Sequence, residues 1–136
     1  MSSISTIALS GMNAAARRLE VSASNVANVA STGALPNADG TVPAGAPTAY
    51  APLELVQTAN ADGGTQTTVT TVTPSTTTVS DPQAPFANQN GLVAAPNVDL
   101  SQELVSQMIA SYSFAANAAV MRAGDRMTKT LLDVMA

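Results

Sequence analysis

The chain has 136 residues and a formal net charge of −4, enough for one domain of ordinary size. It contains no Cys and no His, which excludes thiol chemistry, disulfides, the common zinc sites and a serine triad of the usual kind. Its apolar residues are mostly alanine and valine, and only 3% of its residues are aromatic. Because aromatic side chains supply much of the buried area of a compact core, this composition favours stability gained from neighbouring chains, as in an oligomer.

The basic residues lie close to the two ends of the chain: Arg17 and Arg18, then Arg122, Arg126 and Lys129. Nucleic-acid binding is not expected, because a groove that follows phosphates needs clustered Lys and Arg. Direct lipid binding through a polybasic surface is not expected for the same reason. No apolar run approaches the roughly 18 residues of a transmembrane helix. The N-terminus has no basic segment ahead of an apolar one, so a cleaved secretory signal is not expected either.

Residues 3–30 are predicted to form the first helix. Ser2 or Ser3 can cap its start, and Gly33 followed by Pro36 ends it. Two stripes recur at spacings of three and four residues, which predicts that two faces of the helix are contacted. The heptad-like stripe consists of Met12, Ala16, Leu19, Ala23, Val26 and Ala30. The stripe of smaller residues beside it consists of Ile4, Ala8, Gly11 and Ala15.

The middle region, residues 34–98, is predicted to mix loops with a small β-hairpin. Its first part is a loop rich in Pro, Gly and Asn, whereas residues 53–57 and 65–73 carry β-branched side chains on either side of an Asp-Gly-Gly turn. A lone hairpin is marginal in water, so a third strand at 76–79, a helix or a neighbouring subunit must support it. A solvated Thr-rich tract is the alternative, and residues 80–98 are predicted to be a loop.

Residues 99–136 are predicted to form one long amphipathic helix. Asp99 is the expected N-cap, with Gln102 three residues on as a variant of the capping box. No proline follows, and a helix of this length spans about 50 Å. Its apolar face is Val105, Ile109, Tyr112, Ala116, Val120, Ala123, Met127, Leu131 and Val134.

No catalytic or metal-binding set is apparent. The carboxylates are scattered rather than paired, and a Ser–Lys pair would have to use Lys129, which lies among other charges on the last helix. The Asp-Gly turns at Asp39 and Asp62 lack the spaced oxygen ligands of a calcium loop. We therefore expect neither an enzyme nor a bound cofactor or metal.

The predicted fold is mainly α, with 1–33 and 99–136 packed as an antiparallel coiled coil. Helices at both ends of a chain can pair only if the middle, 34–98, projects as an excursion. Apolar stripes left over on both helices favour stacking with other copies, and heterologous stacking builds filaments.

Both ends of the chain resemble the flagellar axial proteins, the family of rod, hook and hook-associated proteins. The N-terminal signature covers residues 10–28, and its diagnostic part is Leu19 followed by Ala-Ser-Asn-Val-Ala-Asn at 23–28. The C-terminal signature is matched by Ala116-Asn117 within a long helix and by the Met-Thr-Lys-Thr-Leu segment that ends at Leu131. The length, and a loop at 80–100 that ends in Pro-Asn-Val-Asp-Leu, are similar to the short rod proteins of the basal body.

The chain departs from the family pattern at several positions. Tyr112 and Phe114 stand where the family usually has an Arg and a Tyr, and Leu92 replaces the usual Tyr. The basic residues often seen near the aromatic at Tyr50 are absent. A divergent or accessory rod-like paralogue, or a secreted helical adaptor or effector that uses the same export route, is the alternative.

The resemblance implies a structural subunit of the periplasmic rod of the flagellar basal body, which transmits torque. It also implies export through the flagellar type III apparatus without a cleaved signal. The expected partners are copies of itself, other rod proteins and the export apparatus. The expected assembly interface is Met12, Ala16, Leu19, Ala23, Asn25, Val26, Asn28, Val105, Ile109, Tyr112, Ala116, Asn117, Val120, Met127 and Leu131.

Overall fold

The computed structural model describes residues 3–37 and 39–135, which excludes the proposed cap Ser2, the side chain of Ser3 and the last residue, Ala136. Two long helices enclose four strands in sequence. The elements are α1 (Ser3–Ala27), β1 (Leu53–Ala59), β2 (Thr65–Thr71), β3 (Thr76–Ser80), β4 (Leu92–Pro96) and α2 (Leu100–Met135). Two helices and a small antiparallel β region therefore form as predicted.

At the start of α2 and at the end of α1, a side chain binds the backbone of the adjacent helical turn. The Asp99 carboxylate accepts hydrogen bonds from the backbone N–H groups of Ser101 (2.9 Å) and Gln102 (3.2 Å), which confirms the predicted N-cap of α2. At the other boundary, the Asn28 side chain donates to the Ser24 carbonyl (2.9 Å). Residues 28–30 form a turn there, so α1 is three residues shorter than predicted.

The β1–β2 hairpin forms in the predicted place and lies along α1. Its strands pair from Leu53 opposite Thr71 to Ala59 opposite Thr65. The turn uses two glycines with φ near +88°, a conformation that side chains disfavour. Arg18 of α1 donates to the Gln57 side chain (3.2 Å), and the Thr65 N–H donates to the Ser10 hydroxyl (3.1 Å). The support that a lone hairpin needs therefore comes from the helix.

The prediction of a loop throughout 80–98 is wrong for its last part, because residues 92–96 form β4. This strand pairs with β3 from Thr76 opposite Pro96 to Ser80 opposite Leu92, in a sheet separate from the hairpin. Gly33 also pairs with it, exchanging two backbone hydrogen bonds of 2.9 Å with Ala94. Val93 and Ala94 are buried in this arrangement. The strand arises from pairing with distant segments, which its short apolar sequence does not reveal.

Helices α1 and α2 pack through small side chains, and their contacts run in opposite directions along the two helices. Gly124 lies against Ile4, and Asn117 lies against Gly11. The Ser22 hydroxyl donates to the Glu103 carbonyl (3.0 Å) at the far end of the pair. Six of the eight buried apolar residues among the described residues are alanines: Ala8, Ala14, Ala15, Val21, Ala34, Val93, Ala94 and Ala110.

Asn25 joins both helices to the hairpin. Its side chain is 1% exposed. Its amide nitrogen donates to the Leu53 carbonyl (2.8 Å) and to the Glu103 carboxylate (2.6 Å). Its amide oxygen accepts from the Leu53 N–H (2.9 Å) and from the Tyr50 hydroxyl (3.1 Å). Only a side chain with a donor and an acceptor at the same distance from the backbone can make all four bonds.

We expect Asn25→Asp to lower the free energy of unfolding by about 2–3 kcal/mol, because it removes the donor for two acceptors and places a second carboxylate beside Glu103. Urea unfolding followed by circular dichroism measures the change. The control is Asn13→Asp, the same change at an exposed position of α1, which should cost no more than about 0.5 kcal/mol. Equal losses in the two variants would contradict the central role of Asn25.

We expect Gly33→Ala to destabilise the chain by about 2–3 kcal/mol, because a methyl group there would overlap backbone atoms. It would lie 2.5 Å from the Thr48 carbonyl carbon and 2.6 Å from the Pro47 oxygen. At Gly124 the nearest atom would be Ile4 Cγ2 at an ordinary 3.4 Å. Gly124→Ala should therefore gain up to about 1 kcal/mol of helix propensity. Urea midpoints that shift in the same direction for both variants would refute this assignment of the two glycines.

Candidate assembly surface

The large apolar side chains of α2 lie on its surface, while its contact with α1 is made of small and polar ones. Tyr112 is 71% exposed, and Val105, Ile109 and Val120 are each about half exposed. Ala116, between them on the same face, is exposed as well. The predicted apolar stripe of α2 is therefore largely exposed rather than buried against α1. Burial instead falls on positions such as Ala110 and Gly124.

Helix α1 shows the same division between two faces. Its small-residue stripe contacts α2, with Ala8 and Ala15 buried. Its heptad-like stripe remains largely open to solvent, since Ala16, Leu19 and Ala23 are exposed. Small side chains let the two helix backbones approach closely, and the larger ones are then turned outward.

An apolar groove of about 270 Å³ lies between the two helices, near their middle. Its floor is built from alanines and its rims from two larger apolar side chains, Leu19 of α1 and Phe114 of α2. The groove is lined by Ala15, Ala16, Leu19, Ala110, Ser111 and Phe114. Exposed apolar surface of this kind marks a protein contact more often than a free surface.

Three residues predicted for the interface have hydrogen-bond partners within the chain. Asn25 is buried at the junction of α1, β1 and α2. Asn28 binds the last turn of α1. Asn117 donates to the Ser113 carbonyl (2.8 Å) and lies against Gly11. Among the predicted apolar positions, Met12 and Val26 are half-buried.

The C-terminal end of α2 extends beyond α1. Gly124 is buried where α1 begins, and every residue from 125 to 135 is exposed. This segment, here called the overhang, consists of residues 125–135. Leu131 is 65% exposed and Met135 is 84% exposed. By its length the overhang reaches about 16 Å past the end of the helix pair.

A second, polar cleft of about 420 Å³ lies where the hairpin meets the start of α2. Arg18, Glu54, Asp99 and Glu103 are among its lining residues. Arg18 binds Gln57, and Glu103 binds Asn25. Nothing in its lining forms a nucleophile–base pair, and no group of three metal-ligating residues occurs among the described residues. The cleft was not anticipated from the sequence, because β1 and α2 meet there from distant parts of the chain.

Among the described residues, one helix is long and apolar enough to cross a membrane by length and composition alone. This is α2, in which an 18-residue window has a mean hydropathy of 1.2. The sequence-based expectation of no such segment is therefore corrected. The apolar character of α2 is interrupted on its α1-facing side by Glu103 and Asn117, which make contacts inside the protein.

Comparison with known proteins finds rod-protein similarity at both ends. Residues 6–34 match the family described as flagella basal body rod protein. Residues 89–134 match the family described as flagellar basal body rod FlgEFG protein C-terminal. The two matches cover α1 and α2, the elements that carry the exposed apolar stripes.

Curated relatives match nearly the whole length of the chain. The flagellar basal-body rod protein FlgC of Salmonella typhimurium is 37% identical over 132 residues, which is 92% of this chain and 91% of the relative. FlgC proteins of Salmonella typhi and Escherichia coli O157:H7 match with the same identity and coverage. The chain therefore belongs to the FlgC family of flagellar basal-body rod proteins.

Proposed function

We propose that this chain is a structural subunit of the proximal rod of the bacterial flagellum. It polymerises through its terminal helices with copies of itself and with other rod proteins, and it passes torque across the periplasm. The observation that carries this proposal is that small apolar side chains are buried while large ones are exposed. Alanines fill the interior, while leucines, valines, methionines and Tyr112 remain exposed along α2.

An exposed apolar surface of this extent is costly in a monomer and is relieved by association. Burial of apolar area contributes about 25 cal/mol per Å², and an exposed side chain realises none of it. Stripes on both helices offer more than one contacting face, which suits a subunit surrounded by neighbours on several sides. A secreted adaptor with a single partner would need only one such face.

We infer that α1 and α2 form an antiparallel coiled coil that acts as the stiff element of the subunit. Its support is the heptad spacing of the contacts along α2, where Gly124, Asn117 and Glu103 lie seven and fourteen residues apart. Their partners on α1 are Ile4, Gly11 and Ser22, in the opposite order. Closely packed interiors resist deformation. Torque applied to such a subunit passes to the next through many small contacts rather than through one hinge.

We also propose that the chain leaves the cytoplasm through the flagellar type III export apparatus, without cleavage of a signal. Membership of a rod-protein family supports this route. The absence of Cys means that no disulfide has to form after export.

Deletion of the gene should abolish motility and stall assembly of the rod at an early stage, because later rod and hook subunits would lack the subunit on which they assemble. Swimming assays and electron microscopy of purified basal bodies measure both effects. Plasmid-borne wild-type protein should restore them. A deletion strain that still builds complete hooks would refute the structural role.

Ala116→Asp should abolish rod assembly while leaving the monomer folded, because it places a charge in the exposed apolar stripe of α2. The free energy of unfolding should fall by less than about 1 kcal/mol, the scale of helix propensity. The matched control is Ala115→Asp, an identical change at the neighbouring exposed residue. Ala115 lies on the helix face that also carries Arg122 and Lys129.

Both variants are tested by complementation of the deletion strain, with circular dichroism of the purified chains as the check on folding. Ala115→Asp should support swimming close to the wild-type level. Normal rod formation by Ala116→Asp would show that this stripe is not part of the assembly interface.

A further inference from the structure

The overhang continues the face of α2 that contacts α1, but none of the described residues of α1 covers it. Along the helix pair, the α1-facing positions include Ala110, Asn117 and Gly124. The same spacing of seven residues leads to Leu131, and Met135 lies one helical turn further along the same face. The side chains on this face thus change from small to large at the point where α1 begins.

The groove between α1 and α2 has the opposite character. Its floor consists of alanines, and its volume of about 270 Å³ leaves room for larger side chains. Along α2 it lies near Ser111, twenty residues before Leu131, which corresponds to a distance of about 30 Å on the helix. Large unpartnered side chains and an unfilled small-residue groove therefore occur on one molecule, separated along its axis.

Charge favours a staggered contact between two copies over an in-register one. Residues 3–121 carry two arginines and seven carboxylates, a net charge of −5. Residues 122–135 carry three basic and two acidic side chains, a net charge of +1. Copies packed side by side in register would bring two acidic bodies together. A shift along the axis places the basic turns of one copy beside the acidic body of the next.

We propose that the overhang of one copy docks in the groove of a second copy, with Leu131 and Met135 filling the space above Ala16 and Ala110. The overhang and the groove are different surfaces, so the contact is heterologous and leads to an open stack rather than a closed pair. The axial step is about 30 Å per copy. This inference rests on the proposed assembly role and specifies one contact that would carry it.

The chain contains no Cys, which permits a direct test with introduced pairs. Leu131→Cys chains are mixed with Ala16→Cys chains and oxidised at a concentration where the wild type self-associates. We expect a cross-linked pair containing one chain of each kind. The control mixture replaces Ala16→Cys with Thr68→Cys, an exposed position on the outer side of the hairpin, and should give no cross-link above background.

A single chain carrying both Leu131→Cys and Ala16→Cys distinguishes an open stack from a reciprocal pair. The two positions lie too far apart on one molecule to join each other. An open stack gives a ladder of dimers, trimers and larger products on non-reducing gels. Products that stop at the dimer would overturn the stacked arrangement.

Sedimentation velocity supplies a second measurement that does not depend on cysteine. Leu131→Glu should weaken self-association by about tenfold or more, because it would place a charge in an apolar groove. Its helix content should remain that of the wild type, since Leu131 is 65% exposed. A wild-type chain that stays monomeric, or a Leu131→Glu variant that associates like the wild type, would overturn the proposal.

Complementation of the deletion strain distinguishes a failure of this docking mode from a failure of the proposed rod function. If the rod role is wrong, the deletion strain swims without any plasmid. If only the docking mode is wrong, the deletion strain fails to swim and the Leu131→Glu variant rescues it as well as the wild type does.

Discussion

The close approach of α1 and α2 through small side chains is the constraint on which the rest of the structure depends. Alanine and glycine at the contact bring the two backbones together, but they bury little area for each residue. Such an interface cannot by itself hold the register of two long helices. Polar contacts supply the register, and Asn25 is the most connected of them, since it binds Glu103 of α2 and the first residue of β1 at once.

The same constraint explains the surface of the molecule. When the smallest residues occupy the helix–helix contact, the larger apolar residues of both helices must face outward. The exposed stripes are thus a consequence of how the helices pair. A monomer built in this way has a closely packed interior and a large exposed apolar surface. The exposed surface is the physical basis for regarding the monomer as one component of an assembly.

The middle region supports α1 along much of its length. The hairpin lies along α1 and is bound to it at Arg18, Ser10 and Asn25. The second sheet is held to the chain that follows α1 by the Gly33–Ala94 pairing. The hairpin thus extends from Asn25, beside the start of α2, to Ser10 in the first half of α1, whereas residues 125–135 of α2 have no covering element among the described residues. This asymmetry gives the molecule two chemically different ends.

The local sequence determined the two helices, the N-cap at Asp99 and the hairpin around its glycine turn, because these features depend on residues close together in the chain. It also placed small residues on one side of α1. It did not decide which of the two stripes of α1 would meet α2, since both have helical spacing and only close packing distinguishes them. The internal role of Asn25, the strand at 92–96 and the polar cleft depended on tertiary structure. Each requires partners at least 12 residues away along the chain, such as Ser80 for Leu92 and Tyr50 for Asn25, and local sequence carries no signal of such distant pairings.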